Sequence, residues 1–264
     1  MARSNTQASR VKPEHAAPLT LEVLRSTRLS PGFVRVTLGG GDVARFTPMG
    51  FDQWFRLFIP VSDDSLAHVP EKLSLGSYLR FVTTAKGSRP VLRNYTVRAF
   101  RPAAGELDVD FVVHGDGPAG TWAATCAPGD QVAIIDEGIT FTPPAGTTRF
   151  ALVADESGLP AVAGVLASLD PAATGVALVE VPHEEDKQEV QAPPGVAVTW
   201  VVREDPHAVA GRAVLAAATA LELPRPFFGF VVGEAGLATG LRRHWVKSGV
   251  PKEDVLFCGY WKAG

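Results

Sequence analysis

The grammar of this chain changes once, at the Pro-containing stretch Thr140-Phe-Thr-Pro-Pro-Ala-Gly146, and that change restricts the fold more than any other feature. Before it, short runs of β-branched and aromatic residues recur between turn signals: Leu19 to Leu24, Phe33 to Leu38, Trp54 to Pro60, Arg93 to Phe100, Glu106 to Val113 and Asp130 to Ile135. Such spacing predicts an antiparallel barrel. After it, apolar strands alternate with Ala/Val/Leu-rich helices: strand Phe150 to Ala154, a helix ending near Leu169, strands Gly175 to Val181 and Val196 to Val202, helix Ala208 to Leu221, strand Phe227 to Val232, helix Ala238 to Ser248 and strand Val255 to Phe257. That order predicts a parallel α/β layer. With 264 residues and 46% apolar content there is enough chain for two ordinary cores. The expected architecture is β + α/β: a mobile arm over 1–18, a barrel domain over 19–142 and an α/β domain over 147–264.

Within the first half, Tyr95-Thr-Val-Arg98 is expected to turn through Pro102-Ala-Ala-Gly105 into Leu107-Asp-Val-Asp-Phe-Val-Val113, a hairpin of well-fixed register. The charged stretch between Phe58 and Phe81 is expected to be a surface excursion of variable conformation. A net charge of -3 gives neither nucleic acid nor anionic membrane an obvious hold. Arg3, Arg10 and Lys12 precede no apolar segment of leader type, and no later segment approaches 18 uncharged apolar residues, so the expected setting is the cytoplasm; the expected state, on no sequence signal of its own, is a monomer. Cys126 and Cys258 form no C-x-x-C motif and read as buried thiols.

Chemistry-bearing residues cluster in two places. Arg93-Asn-Tyr-Thr96 opens a strand with a cation and an aromatic ring on one face and a hydroxyl beside them. A guanidinium pairs with phosphate, a phenol ring lies against a flat heteroaromatic face, and a hydroxyl or backbone N–H bonds the polar edge of an isoalloxazine, so the set suits a flavin. Standing alone, it reads first as an ordinary strand with one exposed arginine and a half-buried tyrosine. Downstream, His114-Gly-Asp-Gly-Pro-Ala-Gly-Thr-Trp-Ala123 is a glycine-rich turn into a short helix, where free N–H groups and the helix dipole favour a pyrophosphate.

Taken together, R-x-Y-T, D-F-V-V-H-G, G-P-A-G-T-W-A, V-A-D-E-S-G-L-P-A and the terminal G-Y-W-K-A-G stand in the order found in siderophore-interacting proteins, and the chain resembles that family over almost all its length after the arm. The resemblance implies a six-stranded FAD-binding barrel of the ferredoxin-reductase type and an α/β domain resembling an NAD(P)H-binding one. It also implies reduction of siderophore-bound Fe(III) with electrons from NAD(P)H or reduced ferredoxin. It places Arg93, Tyr95 and Thr96 on the flavin, with His114, Ala119, Gly120 and Thr121 near its phosphates or ribose, and adds Ser157 and Trp261 as cofactor contacts. Basic residues around a siderophore pocket correspond to Arg56, Arg242, Arg243 and Lys262, cations suited to an anionic ferric complex.

Three departures from the family pattern matter. Gly120 stands where relatives often carry serine, so a hydroxyl contact there passes to Thr121 or to backbone N–H groups. Ser157 keeps a hydroxyl where threonine is frequent. Ile135-Asp-Glu-Gly138 replaces a Gly-Pro turn, and its two acids are expected to face water. No G-x-G-x-x-G follows the first α/β strand, so nucleotide binding there rests on the resemblance. An acid at the second strand end, Glu180 or one of the His183-Glu-Glu-Asp186 run, would accept from a ribose hydroxyl and favour NADH if it is not simply a charged surface loop. Glu234 is expected at the carboxyl end of a parallel strand. No protein acid or base is required for outer-sphere electron transfer, which accords with dispersed histidines and no catalytic triad. Two alternatives stay open: a flavin oxidoreductase with another acceptor, and a siderophore carrier without turnover.

Overall fold

The computed structural model describes the chain apart from residues 1–3, 6–9, 15, 73–75, 77–78, 80, 82, 84, 86, 114 and 116. The chain divides into two compact units, one formed by Val11–Ile139 and the other by Met1–Arg10 with Thr140–Gly264.

The first unit is an antiparallel sheet of seven strands: β1 (Leu19–Ser30), β2 (Phe33–Gly39), β3 (Trp54–Ile59), β4 (Val91–Thr96), β5 (Ala99–Arg101), β6 (Glu106–Val112) and β7 (Gln131–Gly138). Their order is β4-β3-β7-β1-β2-β6-β5. Leu19, Leu21 and Val23 of β1, Val34, Val36 and Leu38 on β2, and Leu107, Val109 and Phe111 on β6 share one side and fill the core, as period-2 alternation requires. On the other side of β6 the charges are matched across the ladder. Arg35 donates to both oxygens of its register partner Asp110 at 2.6 and 2.8 Å, and Thr37 donates to Asp108 at 2.7 Å. Arg101 adds two bonds to Asp108 at 2.7 and 2.8 Å. Burial alone would raise the Asp108 carboxyl, but the bonds from Arg101 and Thr37 outweigh it and hold it lowered.

Seven strands rather than six arise because the expected strand Arg93 to Phe100 is broken. β4 pairs with β3, whereas β5 pairs with β6 at the far end of the sheet. The hand-over takes two residues: the Val97 N–H goes to the Gln53 carbonyl, the Arg98 N–H to the Asp108 carbonyl. The expected hairpin is thus confined to Ala99–Arg101 against Glu106–Asp108. Because one short segment serves both ends of the sheet, the sheet curls into a barrel that is not closed by a ladder, and β4 keeps one edge without a strand partner among the described residues. In the 58–81 excursion, Leu66, Val69 and Phe81 pack on the outer cluster of Phe58, Ala133 and Ile135, so its described part is anchored.

An eight-residue helix, α1 (Pro118–Thr125), lies beside β6, and Ser26 donates to the Ala123 carbonyl at 2.8 Å. At Gly120 an added Cβ would come within 3.2 Å of the Val112 carbonyl oxygen, so the glycine there lets α1 sit close against β6.

In the second unit, β8 (Arg149–Ala154), β9 (Thr174–Val181), β10 (Gly195–Val202), β11 (Phe228–Glu234) and β12 (Val255–Trp261) form a parallel sheet in the order β10-β9-β8-β11-β12. The helices are α2 (Leu159–Ser168), α3 (Arg212–Ala220) and α4 (Ala235–Lys247). Val214 and Ala218 of α3 and Leu237, Leu241 and Trp245 of α4 cover Ala151, Val153, Val231, Val255 and Phe257 on one face of the sheet. Phe141 packs on the other, against Phe150, Phe228 and Phe230. The chain runs outward from β8 to β10, then returns to add β11 and β12 on the opposite side of β8, which puts a topological switch point between β8 and β11. The arm expected to be mobile is in part tethered to this unit. Ser4 bridges Cys258, and the Asn5 carboxamide donates to the Val255 carbonyl at 2.8 Å while accepting from the Phe257 N–H at 3.0 Å.

Phe111 is fully buried and touches the rings of both Tyr95 and Trp122. Phe111→Ala is expected to lower stability by about 3–5 kcal/mol, read as a reduced midpoint in urea unfolding at unchanged m-value.

Candidate functional site

In the barrel unit, three aromatic rings bring the two sequence clusters together. Tyr95 on β4 lies 4.2 Å from Phe111 on β6, and Phe111 lies 5.6 Å from Trp122 on α1, centroid to centroid. The Arg93–Thr96 strand and the start of α1 are thereby held as neighbours. Arg93 is exposed and donates to the Leu92 carbonyl at 2.8 Å, and among the described residues no carboxylate forms a salt bridge with it. Burial pushes the Tyr95 phenol well above its ordinary value, against a smaller lowering by the Arg93 charge, so the ring stays neutral across the physiological range. Thr96 is buried. At α1, Gly117 is the N-cap residue, no side chain among the described residues caps the first turn, and Pro118 occupies its first position. The N–H groups of Ala119 and Gly120 are therefore left for water or an anion.

The carboxyl edge of the parallel sheet in the other unit is a dense polar cluster. Asp155, just past β8, is completely buried; its carboxylate accepts from the Ser157 N–H at 2.9 Å and hydroxyl at 2.5 Å, and from the Glu234 N–H at 2.6 Å. It thus ties the end of β8 to the end of β11. Gly233 has φ +132, and a Cβ there would sit 2.5 Å from the Asp155 carboxyl carbon, so only glycine admits this contact. Burial first, and the neighbouring Glu156 charge second, push the Asp155 carboxyl up to about 7. Beside it Arg203, past β10, donates to both oxygens of Glu156 at 2.8 Å and to Glu180 at 2.8 Å, all three groups being buried. Glu180 also accepts from the Gly211 N–H at 2.9 Å and the Val214 N–H at 2.8 Å, holding the start of α3. Glu234 caps α4 through the Gly236 and Leu237 N–H groups, and its other oxygen takes the Ala263 N–H at 3.2 Å.

Two family descriptions match this chain: a siderophore-interacting FAD-binding domain over residues 22–140, and siderophore-interacting protein over residues 147–264. The chain belongs to the siderophore-interacting protein family. A crystal structure of a siderophore utilization protein from T. fusca is 32% identical and superposes with a TM-score of 0.81 over 97% of each chain. The ferric vibriobactin reductase ViuB of Vibrio cholerae is 29% identical over 95% of this chain and 92% of its own. The NADPH-dependent ferric-chelate reductase of Escherichia coli is 29% identical over 92% of each.

As the FAD-binding domain of this family, the barrel unit presents groups that fit the cofactor: an edge strand without an outer partner, an exposed guanidinium, a neutral ring and an uncapped helix start. Arg93, Tyr95 and Thr96 stand on β4, and Ala119, Gly120 and Thr121 in the first turn of α1. His114 lies outside the described residues. Ser157, in the other unit, has its hydroxyl hydrogen committed to Asp155. Trp261 ends β12 in register with Glu234.

Among the cations, Arg56 on β3 donates to Glu137 at 2.5 Å. Arg242 on α4 lies 4.9 Å over the Phe257 ring, the next residue Arg243 is exposed, and Lys262 is exposed after β12. Phe257 is four strand positions before Trp261, about 13 Å along the backbone, so the stacked Arg242 sits lower on the sheet than Lys262.

Two expectations are corrected here. Asp136 and Glu137 do not face water: both are buried in β7, Asp136 accepting from Gln53 at 2.8 Å and Glu137 from Arg56, because β7 continues three residues past the expected Ile135. Glu180 is neither a ribose acceptor nor part of a surface loop, since it lies within β9 with both oxygens engaged. Sequence reasoning missed Arg203 and the bridging role of Asp155. The available signal was that Asp155, Glu180, Arg203 and Glu234 each fall at or near the carboxyl end of an expected parallel strand.

With its folded pKa raised, Asp155 keeps a proton that the unfolded chain has lost between about pH 4 and 7. Its contribution to stability therefore falls as pH rises through that window and is constant above it. In urea titrations from pH 4 to 8, Asp155→Asn is expected to flatten this decline, which is on the order of a few kcal/mol in the unsubstituted protein.

Proposed function

We propose that this protein is an FAD-dependent ferric-siderophore reductase that takes electrons from NAD(P)H or reduced ferredoxin and delivers them to siderophore-bound Fe(III), so that iron leaves as Fe(II). The observation that carries this reading is the run of ring contacts from Tyr95 through Phe111 to Trp122, which sets the Arg93–Thr96 edge strand beside the uncapped start of α1. FAD, when bound, supplies the exchange between two-electron and one-electron chemistry that a hydride donor and a single ferric ion require.

The chain's own residues have three tasks. Arg93 supplies a cation for phosphate that no carboxylate among the described residues pairs with, the N–H groups of Ala119 and Gly120 supply donors at the positive end of a helix, and Thr121 adds its hydroxyl. Tyr95 offers a neutral ring and Thr96 a buried hydroxyl for the isoalloxazine, while His114, Ser157 and Trp261 are further proposed contacts. Arg56, Arg242, Arg243 and Lys262 attract the anionic ferric complex, Arg56 from its bond with Glu137 and the others from the α/β unit. Among the described residues no helix is long and apolar enough to cross a membrane, and the proposed setting is the cytoplasm, with the protein acting as a monomer.

Purified protein supplied with FAD is expected to show a flavin spectrum that bleaches anaerobically with a suitable donor. The colour should return on adding a ferric siderophore, as Fe(II) is captured by a ferrous chelator. Arg93→Ala should bind FAD at least about tenfold more weakly, the loss of one charge-assisted pair. Absence of bound flavin even with FAD in excess overturns the reading.

Replacing Arg56, Arg242, Arg243 and Lys262 together with Gln is expected to raise KM for anionic ferric siderophores by roughly tenfold or more while leaving flavin content unchanged. Steady-state kinetics at low ionic strength reads this, and unchanged kinetics removes the four cations from the site.

A further inference from the structure

The register between β3 and β7 slips at one place. Trp54 faces Gly138 while Phe55 faces Asp136, so Glu137 is the extra residue of a β-bulge. A bulge bends its strand and re-aims a side chain, and here the surroundings leave that side chain little freedom. Asp136 accepts from the Gly138 N–H at 2.9 Å and from the Gln53 carboxamide at 2.8 Å. Gly138 has φ +78, and a Cβ there would collide with the Val11 carbonyl oxygen, so only glycine fits beneath the arm. Val11 and Ile139 then exchange both backbone bonds, at 2.9 and 3.0 Å. The bulge so pinned presents one carboxylate. Glu137, with 5% of its side chain exposed, accepts at 2.5 Å from the Nε of Arg56, which keeps 28% of its side chain in solvent.

Arg56 faces Asn94 across the β3–β4 ladder, and Asn94 shares its side of β4 with Thr96. Diagonal neighbours in such a pair lie about 7–8 Å apart, so Arg56 stands within a side chain's reach of the hydroxyl assigned above to the isoalloxazine. The Arg56–Glu137 pair has no net charge. A ferric complex that comes up to this side of the barrel therefore meets a guanidinium whose charge is already answered from within the sheet.

We propose that Glu137 determines the charge class of ferric complex that the protein accepts. With Arg56 neutralised, the barrel side of the site takes complexes of zero or one negative charge, such as neutral ferric trihydroxamates, in preference to trianionic ferric tris-catecholates. Without an acid at this position the same guanidinium would present a full unit charge and favour the trianion. Arg242, Arg243 and Lys262 still attract anions in general; Glu137 sets how much negative charge the barrel side tolerates. The inference deepens the reductase reading and rests on it, but its readout is binding and does not depend on turnover.

The test uses the full chain loaded with FAD, as wild type, as Glu137→Gln and as the double variant Arg56→Gln with Glu137→Gln. Gallium(III) complexes serve as redox-inert probes, the neutral one of a cyclic trihydroxamate and the trianionic one of a tris-catecholate, titrated by calorimetry at low ionic strength. Wild type is expected to bind the neutral complex at least as tightly as the trianion. Glutamine keeps an oxygen for the Arg56 Nε and uncovers one positive charge. Against three negative charges roughly 10 Å away in water, that charge should tighten binding of the trianion on the order of tenfold, and of the neutral complex by no more than about twofold. In about 0.5 M salt the gain should shrink below about threefold. The double variant removes both charges, so its preference between the complexes should return to that of wild type, whereas a merely structural effect of losing Glu137 would persist in it. An unchanged preference in Glu137→Gln overturns the proposal, as does a double variant that keeps the preference of the single one. Wild type that binds the trianion at least about tenfold more tightly than the neutral complex overturns it without any variant. Photoreduced wild type that fails to reduce either ferric complex would instead count against the reductase reading, leaving the gallium titrations to decide the role of Glu137.

Discussion

The two-residue crossing at Val97 and Arg98 is the constraint on which the barrel and its site depend. By giving one N–H to the β3 side and the next to β6, it binds the two ends of a seven-stranded sheet with a continuous stretch of backbone. A sheet so joined must curl, and its curl leaves β4 as an edge strand. The residues suited to a flavin therefore stand where backbone groups are not consumed by a neighbouring ladder. The core then fixes the distance to α1 through Tyr95, Phe111 and Trp122, so packing and site placement are the same contacts.

The two units handle charge in opposite ways. In the barrel, buried acids on β6 are matched by arginines on adjacent strands, Arg35 with Asp110 and Arg101 with Asp108, and these pairs leave Arg93 outside the network. At the carboxyl edge of the parallel sheet, acids predominate and are satisfied largely by backbone N–H groups and by one guanidinium shared between two carboxylates. Removing that guanidinium would strand two buried charges, the kind of loss that costs far more than the pair contributes when intact. The cluster is held together by its polarity.

Much of the fold was legible in the sequence because periodicity reports burial directly. Alternation along Leu107–Phe111 and the apolar runs Phe150–Ala154 and Phe227–Val232 fixed the identity of strands to within one or two residues at most ends. The break at Val97 was not legible, since the residues on either side of it are ordinary strand formers and only the partner strands differ. The same limit explains Glu137 and Glu180. An acid reads as solvent-facing until its partner is known, and Arg56 and Arg203 lie 81 and 23 residues away from them. Arg93, Tyr95 and Thr96 were readable as a group because cation, ring and hydroxyl fall within four residues, whereas Asp155 gained its place only once the order of the parallel strands was known.

The attachment of Asn5 to β12 has a bearing on how the protein behaves in concentrated solution. β12 is the outermost strand of a parallel sheet, and its free edge would otherwise be a row of unpaired peptide groups of the kind that templates sheet-to-sheet association. The Ser4 bridge and the Asn5 carboxamide occupy part of that row with the chain's own arm, in the manner of a short false strand. A fusion partner or affinity tag placed at the N-terminus would pull on this cover, so colloidal behaviour, rather than catalysis, is where the choice of tagged end would first be felt.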